Sequence, residues 1–252
     1  MPKESYKKIR ERVTKIEYME TQIKSLETAK LLTQILPLKE DNKDSSKWKL
    51  TSIFHEQLAP YFLYGGYIRV LDRYRIYIQR VEFYFHCENE GIKDDIVYHR
   101  NDYHVDGILP YFLPFTLHAH ASGFDIAFEN PEKKYRASVL IRAYEIYDEN
   151  EKDEKKYLNY DKNNKKFVHT SKPDINTQST YLYDILNGFG DAGIISWVHE
   201  LSKLYTHHEP LIQKTRKGVY DKTRDQWNKP KYDEPRSRKW SFERKESIKD
   251  II

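Results

Sequence analysis

The sequence predicts an α+β fold, and three observations support this prediction. Segments rich in β-branched and aromatic residues fill much of the middle of the chain, and turn-forming pairs such as Ser122-Gly123 and Asn130-Pro131 separate them. Apolar residues recur at helical spacing over residues 3–36. Strands and helices do not alternate in the regular manner of a doubly wound fold, so α+β is favoured.

Three segments have the pattern of helices. Their bounds are residues 3–36, 53–64 and 192–205. The first ends at Pro37, which cannot continue a helix, and it either caps the domain or binds a partner. A polar linker follows it, so we divide the chain into an N-terminal helix with linker, residues 1–47, and a larger α+β domain, residues 48–252.

Five segments have the composition of strands. They are residues 67–71, 75–85, 115–121, 124–129 and 136–146. The first two flank Asp72-Arg73, which predicts a hairpin. Residues 148–180 are mostly Asp, Glu, Lys, Asn and Thr, so we predict a surface insertion there.

Composition limits the kinds of partner and compartment. The 252 residues carry a net charge of only +4, but residues 211–245 hold 12 basic and five acidic residues. This excess indicates a polyanion partner or, equally well, a solvated basic tail. The single cysteine, Cys87, allows no disulfide within the chain and favours a reducing, cytoplasmic location. No membrane segment or signal peptide is evident in the sequence.

Glu82 is the first candidate functional residue. It lies in a segment that is otherwise apolar and aromatic, where a carboxylate needs a partner or a task. One interpretation is a salt bridge to Arg80 or Arg142. The other is a general base that activates water.

Two weaker patterns also suggest ligands. His118 and His120 are two residues apart and share one face of a strand, where they form a metal pair or line a pocket. A zinc site needs a third ligand at a recognisable spacing, and none is evident, so no metal is predicted. Asn187-Gly188-Phe189-Gly190 precedes the third predicted helix and either receives a phosphate or caps that helix.

Taken in order, these segments resemble the alkyladenine (3-methyladenine) DNA glycosylase family. The likeness covers about residues 52–245, with insertions at 86–93 and 148–180. The segments that carry it are residues 53–69, Val81-Glu82-Phe83-Tyr84, Asp94-Asp95-Ile96-Val97-Tyr98-His99, Leu117-His118-Ala119-His120 with Gly123, Ala137-Ser138-Val139-Leu140-Ile141-Arg142-Ala143-Tyr144-Glu145, Asn187-Gly188-Phe189-Gly190, Arg216-Lys217-Gly218-Val219 and Lys239-Trp240-Ser241-Phe242. The strand that ends at Glu145 is the most specific of these matches.

The resemblance implies a fold and an activity. The fold is a curved, mainly antiparallel β-sheet flanked by α-helices, in a single domain. The activity is excision of a modified base that is flipped out of DNA, by hydrolysis of its N-glycosidic bond. The implied partner is duplex or single-stranded DNA, the protein is expected to act as a monomer, and no cofactor or metal is implied.

The resemblance also assigns roles to residues. Glu82 and Arg142 would be catalytic, as the general base and as the group that orients the water. The base-binding pocket would be formed by Tyr84, His99, His120 and Glu129. The DNA would be contacted by Ser122, Gly123, Gly188, Arg216, Lys217 and Lys239.

Two positions depart from the family pattern. The family inserts a bulky tyrosine into the duplex where this chain has Ser122. It also uses an asparagine near the water, where this chain has either Glu129 or an asparagine displaced to Asn130. A serine cannot act as an apolar wedge, so single-stranded or unusually modified substrates are expected. A catalytically silent nucleic-acid-binding relative and a metal-dependent hydrolase that uses His118 and His120 are the alternative functions.

Overall fold

The structure is a computed structural model of the chain. It describes residues 21–22, 49–87, 89–94, 96–97, 111–112, 116–120, 123–152, 154–177, 179–182, 185, 195–199, 210–216 and 237–247. Within these residues the fold is a curled sheet of antiparallel strands with one short helix packed on it, which confirms the α+β class in its broad form.

The sheet contains 11 strands. They are β1 (Thr21–Gln22), β2 (Gly66–Val70), β3 (Tyr74–His86), β4 (Thr116–His120), β5 (Gly123–Ala127), β6 (Arg136–Asp148), β7 (Tyr157–Asp161), β8 (Lys166–Thr170), β9 (Ile195–His199), β10 (Ile212–Lys214) and β11 (Ser241–Glu243). The main order is β1-β4-β5-β6-β3-β11-β10. In addition, β2 pairs with β3 and carries β9 on its other edge, and β7 pairs with β6 and carries β8.

The two long strands β3 and β6 pair along their whole length and form the centre of the sheet. The remaining edge of β3 is shared by β2 and β11, and that of β6 is shared by β5 and β7. The register of β3 with β6 shifts between Ile78 and Val81. An irregularity of this kind increases the local twist of a sheet. The sheet is curled, as the predicted curved sheet requires.

A helical segment, residues 49–64, covers one face of the sheet. It contains a π-helical turn, Phe54–Leu58, directly before the α-helix α1, Ala59–Tyr64. Pro60 follows this turn and has no N–H to donate, so a wider turn before it is expected. Phe54 stacks on Phe83 of β3 with ring centroids 4.6 Å apart, which fixes the helix on that face. The short helix predicted at residues 53–64 is therefore confirmed.

Most of the strand predictions are confirmed. The hairpin around Asp72-Arg73 is present, with Leu71 and Asp72 at positive φ, and the other three segments form β4, β5 and β6. The predicted insertion contains β7 and β8, which pair as a hairpin and attach to β6 through Tyr147 and Tyr157.

Two helix predictions need correction or fall outside the described residues. The helix predicted at residues 192–205 is wrong at β9, which pairs with β2 instead. Ile195 and Trp197 are buried and alternate with more exposed neighbours, so their spacing of two is that of a strand. The helix predicted at residues 3–36 is described only at Thr21–Gln22, which is strand β1 paired with β4.

The described residues include no helix with the length and hydropathy needed to cross a bilayer.

Asp148, at the end of β6, joins three parts of the sheet. Its carboxylate accepts hydrogen bonds from Arg73 in the β2–β3 turn, at 2.7 and 3.0 Å, and contacts Nε2 of His169 on β8 at 2.9 Å. Burial alone would raise the pKa of Asp148, but the hydrogen bonds from Arg73 and His169 lower it below its usual value. The ionised carboxylate therefore stabilises the fold.

We predict that Asp148→Asn destabilises the protein by about 1.5–3 kcal/mol at neutral pH, the usual contribution of hydrogen bonds to a charged group. The contribution of Asp148 is complete above the unfolded-state pKa of about 3.9 and is lost as the pH falls toward the lower folded-state pKa. In urea unfolding, the free energy of unfolding should therefore fall less between pH 7 and pH 3 in the variant than in the unmodified protein. Asp72→Asn, at a side chain that is 89% exposed, is the control and should change stability little. Equal effects of the two substitutions would contradict the role of Asp148.

Candidate active site

The candidate site lies on the sheet face opposite the helix. Side chains alternate along β3, so Val81, Phe83 and Phe85 join the main core while Glu82 and Tyr84 point to the other side. Glu82 lies opposite Leu140 on β6, and Leu140 lies opposite Asp125 on β5. We call the surface that carries Glu82, Tyr84, Asp125, Leu140 and Arg142 the site face.

Arg142 and Tyr84 both donate to Glu82. Nε and Nη2 of Arg142 both lie 2.7 Å from its Oε2, and the hydroxyl of Tyr84 donates to the same oxygen at 2.9 Å. Glu82 is 1% exposed. The salt bridge predicted as one interpretation of Glu82 is therefore present with Arg142, whereas Arg80 pairs with Glu243 at 3.6 Å.

Arg142 reaches Glu82 from the neighbouring strand β6. It is two residues from Leu140, which lies opposite Glu82, so both side chains point to the same side of β6. The ladder is irregular at this point, and no residue of β3 lies directly opposite Arg142. The guanidinium of Arg142 therefore lies beside the carboxylate.

The protonation states of the two donors are fixed by their surroundings. Burial, and then the charge of Glu82, raise the pKa of the Tyr84 phenol, so Tyr84 keeps its proton and remains a donor. Burial alone would lower the pKa of Arg142, but the nearby Tyr84 and Glu82 raise it overall. Arg142 is therefore a permanent cation beside Glu82.

A second buried guanidinium lies behind Tyr84. Arg216 donates to both carboxylate oxygens of Asp94, at 2.7 and 3.0 Å, and to the backbone carbonyl of Phe83 at 3.0 Å. Its guanidinium carbon lies 4.8 Å from the Tyr84 ring centroid and 5.0 Å from that of Trp240. One face of the Tyr84 ring is therefore covered by Arg216.

The prediction that Arg216 contacts DNA is wrong in this structure, because the residue is 3% exposed and its charge faces Asp94. Arginine is favoured for buried ion pairs because its planar fork matches a carboxylate. The sequence pattern of basic residues could not distinguish this buried arginine from its exposed neighbours. Lys239, by contrast, is exposed, as its predicted DNA contact requires.

The site face contains a second buried carboxylate that the sequence analysis missed. Asp125 lies in the same row as Glu82, two strand spacings away, or about 9–10 Å between backbones. It accepts a hydrogen bond from the Ser138 hydroxyl at 3.2 Å and lies opposite His118 on β4. The argument that singled out Glu82, a carboxylate in an apolar strand, applies equally to Asp125.

Glu129 lies away from Glu82. Its Oε2 accepts from Arg136 and from the backbone N–H of Phe112, each at 2.8 Å. Arg136 is four residues along β6 from Leu140, the neighbour of Glu82. In the described residues Glu129 therefore braces the 111–112 segment.

The remaining predicted site residues are described in part. Gly123 begins β5 with φ of +136°, and His120 pairs with it through the backbone. The predicted residues that lie outside the described part of the chain are His99, Ser122, Gly188 and Lys217.

The histidine pair has no metal cluster around it in the described part of the chain. Nε2 of His118 lies 2.6 Å from the Thr116 hydroxyl, and the ring stacks on Phe112 at 3.8 Å. Among the residues with described positions, no group of three or more His, Cys, Asp or Glu side chains is arranged to hold a metal ion.

Comparisons with known proteins give no match: no family model, no curated protein and no solved structure is similar to this chain.

We predict that Arg216→Met destabilises the protein by about 3–5 kcal/mol, because it leaves Asp94 buried without a cation. Denaturant unfolding measures this loss. Lys214→Met is the control, since Lys214 is 47% exposed in its pair with Glu243 and should contribute less than about 1 kcal/mol. Adding Asp94→Asn to Arg216→Met should recover part of the stability. A loss no larger than that of Lys214→Met would mean that the buried pair does not hold this part of the fold.

Proposed function

We propose that this protein is a nucleic-acid N-glycosylase that excises a modified base with a water molecule activated by Glu82. The observation that carries the proposal is the contact of Glu82 with Arg142 and Tyr84 on one sheet face. These residues are 60 and two positions from Glu82 in the sequence, and the family resemblance assigns all three to one site.

The proposed reaction is a hydrolysis. The carboxylate of Glu82 takes a proton from water as the water oxygen forms a bond to the anomeric carbon of the nucleotide. The bond between that carbon and the base nitrogen breaks, and its electron pair leaves with the base. Arg142 and Tyr84 both bind Oε2 of Glu82, and this fixes the plane of the carboxylate while the substrate is bound.

The proposed partner is DNA, with the base extruded from the stack before it is cut. Ser122 replaces the family's wedge, so substrates that are already unpaired or single-stranded are favoured. The proposal requires no cofactor, because a side chain supplies the base and water supplies the nucleophile.

One observation favours a second candidate, a nucleic-acid-binding relative without catalysis. Glu82 is 1% exposed and already paired with a guanidinium, which is also how a structural carboxylate is arranged. For catalysis, the substrate must reach the carboxylate at this position, whereas a binding protein has no such requirement.

The test compares two buried glutamates in the same sheet. Glu82→Gln should lower the rate of base release by about 100-fold or more, the usual contribution of a general base. Glu145→Gln is the matched control, because Glu145 is also 1% exposed and lies 3.4 Å from Arg244. Single-turnover assays should use duplex and single-stranded oligonucleotides that carry alkylated, deaminated or oxidised bases.

The outcomes separate the candidates. Equal rates for Glu82→Gln and the unmodified protein would overturn the proposed mechanism. No base release from any of these substrates, with DNA binding retained in both proteins, would favour the non-catalytic relative. Unfolding measurements on both variants establish that any lost activity is not lost structure.

Tyr84→Phe should lower the single-turnover rate by about tenfold to 100-fold, because it removes one hydrogen bond to a charged group, typically about 1.5–3 kcal/mol. The ring remains to stack on the base, so the oligonucleotide Kd should change less than threefold by our order-of-magnitude estimate. Tyr74→Phe, at a tyrosine away from Glu82 in the β2–β3 hairpin, is the control. A weaker Kd with an unchanged rate would show that the hydroxyl serves binding alone.

A further inference from the structure

The insertion at residues 148–180 carries a hairpin with a pair of aromatic side chains next to its turn. We call β7, β8 and their turn the insertion hairpin, residues 157–170. Tyr160 and Phe167 lie opposite each other across it, with ring centroids 5.2 Å apart. Tyr181 stacks on Tyr160 at 3.6 Å with nearly parallel rings. These three rings fix the direction in which the hairpin leaves the sheet.

The tip of the insertion hairpin is basic. Its one acidic residue, Asp161, is engaged within the turn: its carboxylate accepts from the backbone N–H groups of Asn163 and Asn164 and from the Asn164 side chain, at 2.8, 3.1 and 2.6 Å. The remaining charged residues of the tip are exposed. They are Lys162, Lys165 and Lys166.

The hairpin is connected to the end of the site face. Ser179, two residues before Tyr181, accepts a hydrogen bond from the backbone N–H of Phe124 at 2.9 Å. A Cβ placed on Gly123 would lie 2.3 Å from the Ser179 hydroxyl, so the two segments touch and only glycine fits there. Gly123 directly follows Ser122, where the related family places its wedge.

The same edge of β6 also joins the two regions. β5 pairs with β6 up to Leu140, and Asn176 bridges to Tyr144 further along that strand. The side chain of Asn176 accepts from the backbone N–H of Tyr160, which binds the insertion hairpin to this edge. The lysine tip is therefore fixed relative to the hairpin β4–β5.

We propose that the insertion hairpin is a second nucleic-acid contact, in which Lys162, Lys165 and Lys166 bind backbone phosphates of the strand whose base enters the site. The choice of partner rests on the proposed function; the surface itself is defined by the exposed charge and by the rigid connection to Gly123. Three cations on a fixed support suit a polyanion with regular spacing. They would hold the strand where Ser122 is too small to do so.

The experiment measures the Kd of the whole chain for a fluorescent single-stranded and a duplex oligonucleotide by anisotropy, at several salt concentrations. The test variant is Lys162→Gln/Lys165→Asn/Lys166→Gln, with asparagine at position 165 because that residue has φ of +52°. Three phosphate contacts contribute about 2–3 to the slope of log Kd against log salt concentration, which we call the salt slope. The salt slope of the variant should therefore be smaller by that amount. Its Kd at low salt should rise by about tenfold or more.

The matched control removes the same charge elsewhere. It is Lys49→Gln/Lys134→Asn/Lys152→Gln, three exposed lysines on separate elements, of which Lys134 also has positive φ, at +55°. The salt slope of the control should differ from that of the unmodified protein by no more than about 1, the contribution of one phosphate contact. Long-range charge effects are screened beyond about 10 Å at 0.1 M salt.

Equal slopes for the test and control variants would overturn the inference, as would a lack of oligonucleotide binding by the unmodified protein. Binding to vesicles of anionic phospholipid that weakens by the same factor would assign the tip to polyanions in general and would also overturn it. Glu82→Gln keeps the hairpin, so its slope should equal that of the unmodified protein. If Glu82→Gln still releases base while the triple-lysine variant of the insertion hairpin has a smaller salt slope, the proposed catalysis fails and this inference stands.

Discussion

The pairing of β3 with β6 is the constraint on which the rest of the structure depends. These strands are 13 residues each, and every branch of the sheet attaches to one of them. Their register also brings Arg142 to Glu82. A carboxylate at 1% exposure needs such a partner, so the pairing of the two strands makes the burial of Glu82 possible.

Local pattern was sufficient to predict β2 to β6 and to single out Glu82. β3 and β6 are rich in β-branched and aromatic residues, and Glu82 is conspicuous there because charged residues are rare in such a context. The pattern left the salt-bridge partner of Glu82 open between Arg80 and Arg142. The structure shows Arg142, because Arg80 pairs with Glu243 instead. The hydrogen bond from Tyr84 to Glu82 was not predicted.

The failures arose where tertiary structure overrides local preference. Residues 195–199 combine helix and strand formers, and the open edge of β2 decides in favour of a strand. Arg216 belongs to a basic segment, yet Asp94, more than 100 residues earlier, draws it inside. Asp125 was missed although local pattern marks it as it marks Glu82. Only its place in one row with Glu82 depends on the alignment of β5, β6 and β3, which are far apart in the sequence.

The position of β11 has a consequence for biosynthesis. Ser241 lies opposite Glu82 on the edge of β3 that β6 does not cover, and Arg216 approaches Tyr84 from the same late part of the chain. A ribosome releases residues 74–148 long before it releases these. Until the last strands emerge, the nascent chain therefore has Asp94 without Arg216 and the outer edge of β3 beside Glu82 without β11. Contacts of such high sequence separation also slow folding, so the interval before closure is one in which a chaperone has an exposed strand edge to protect.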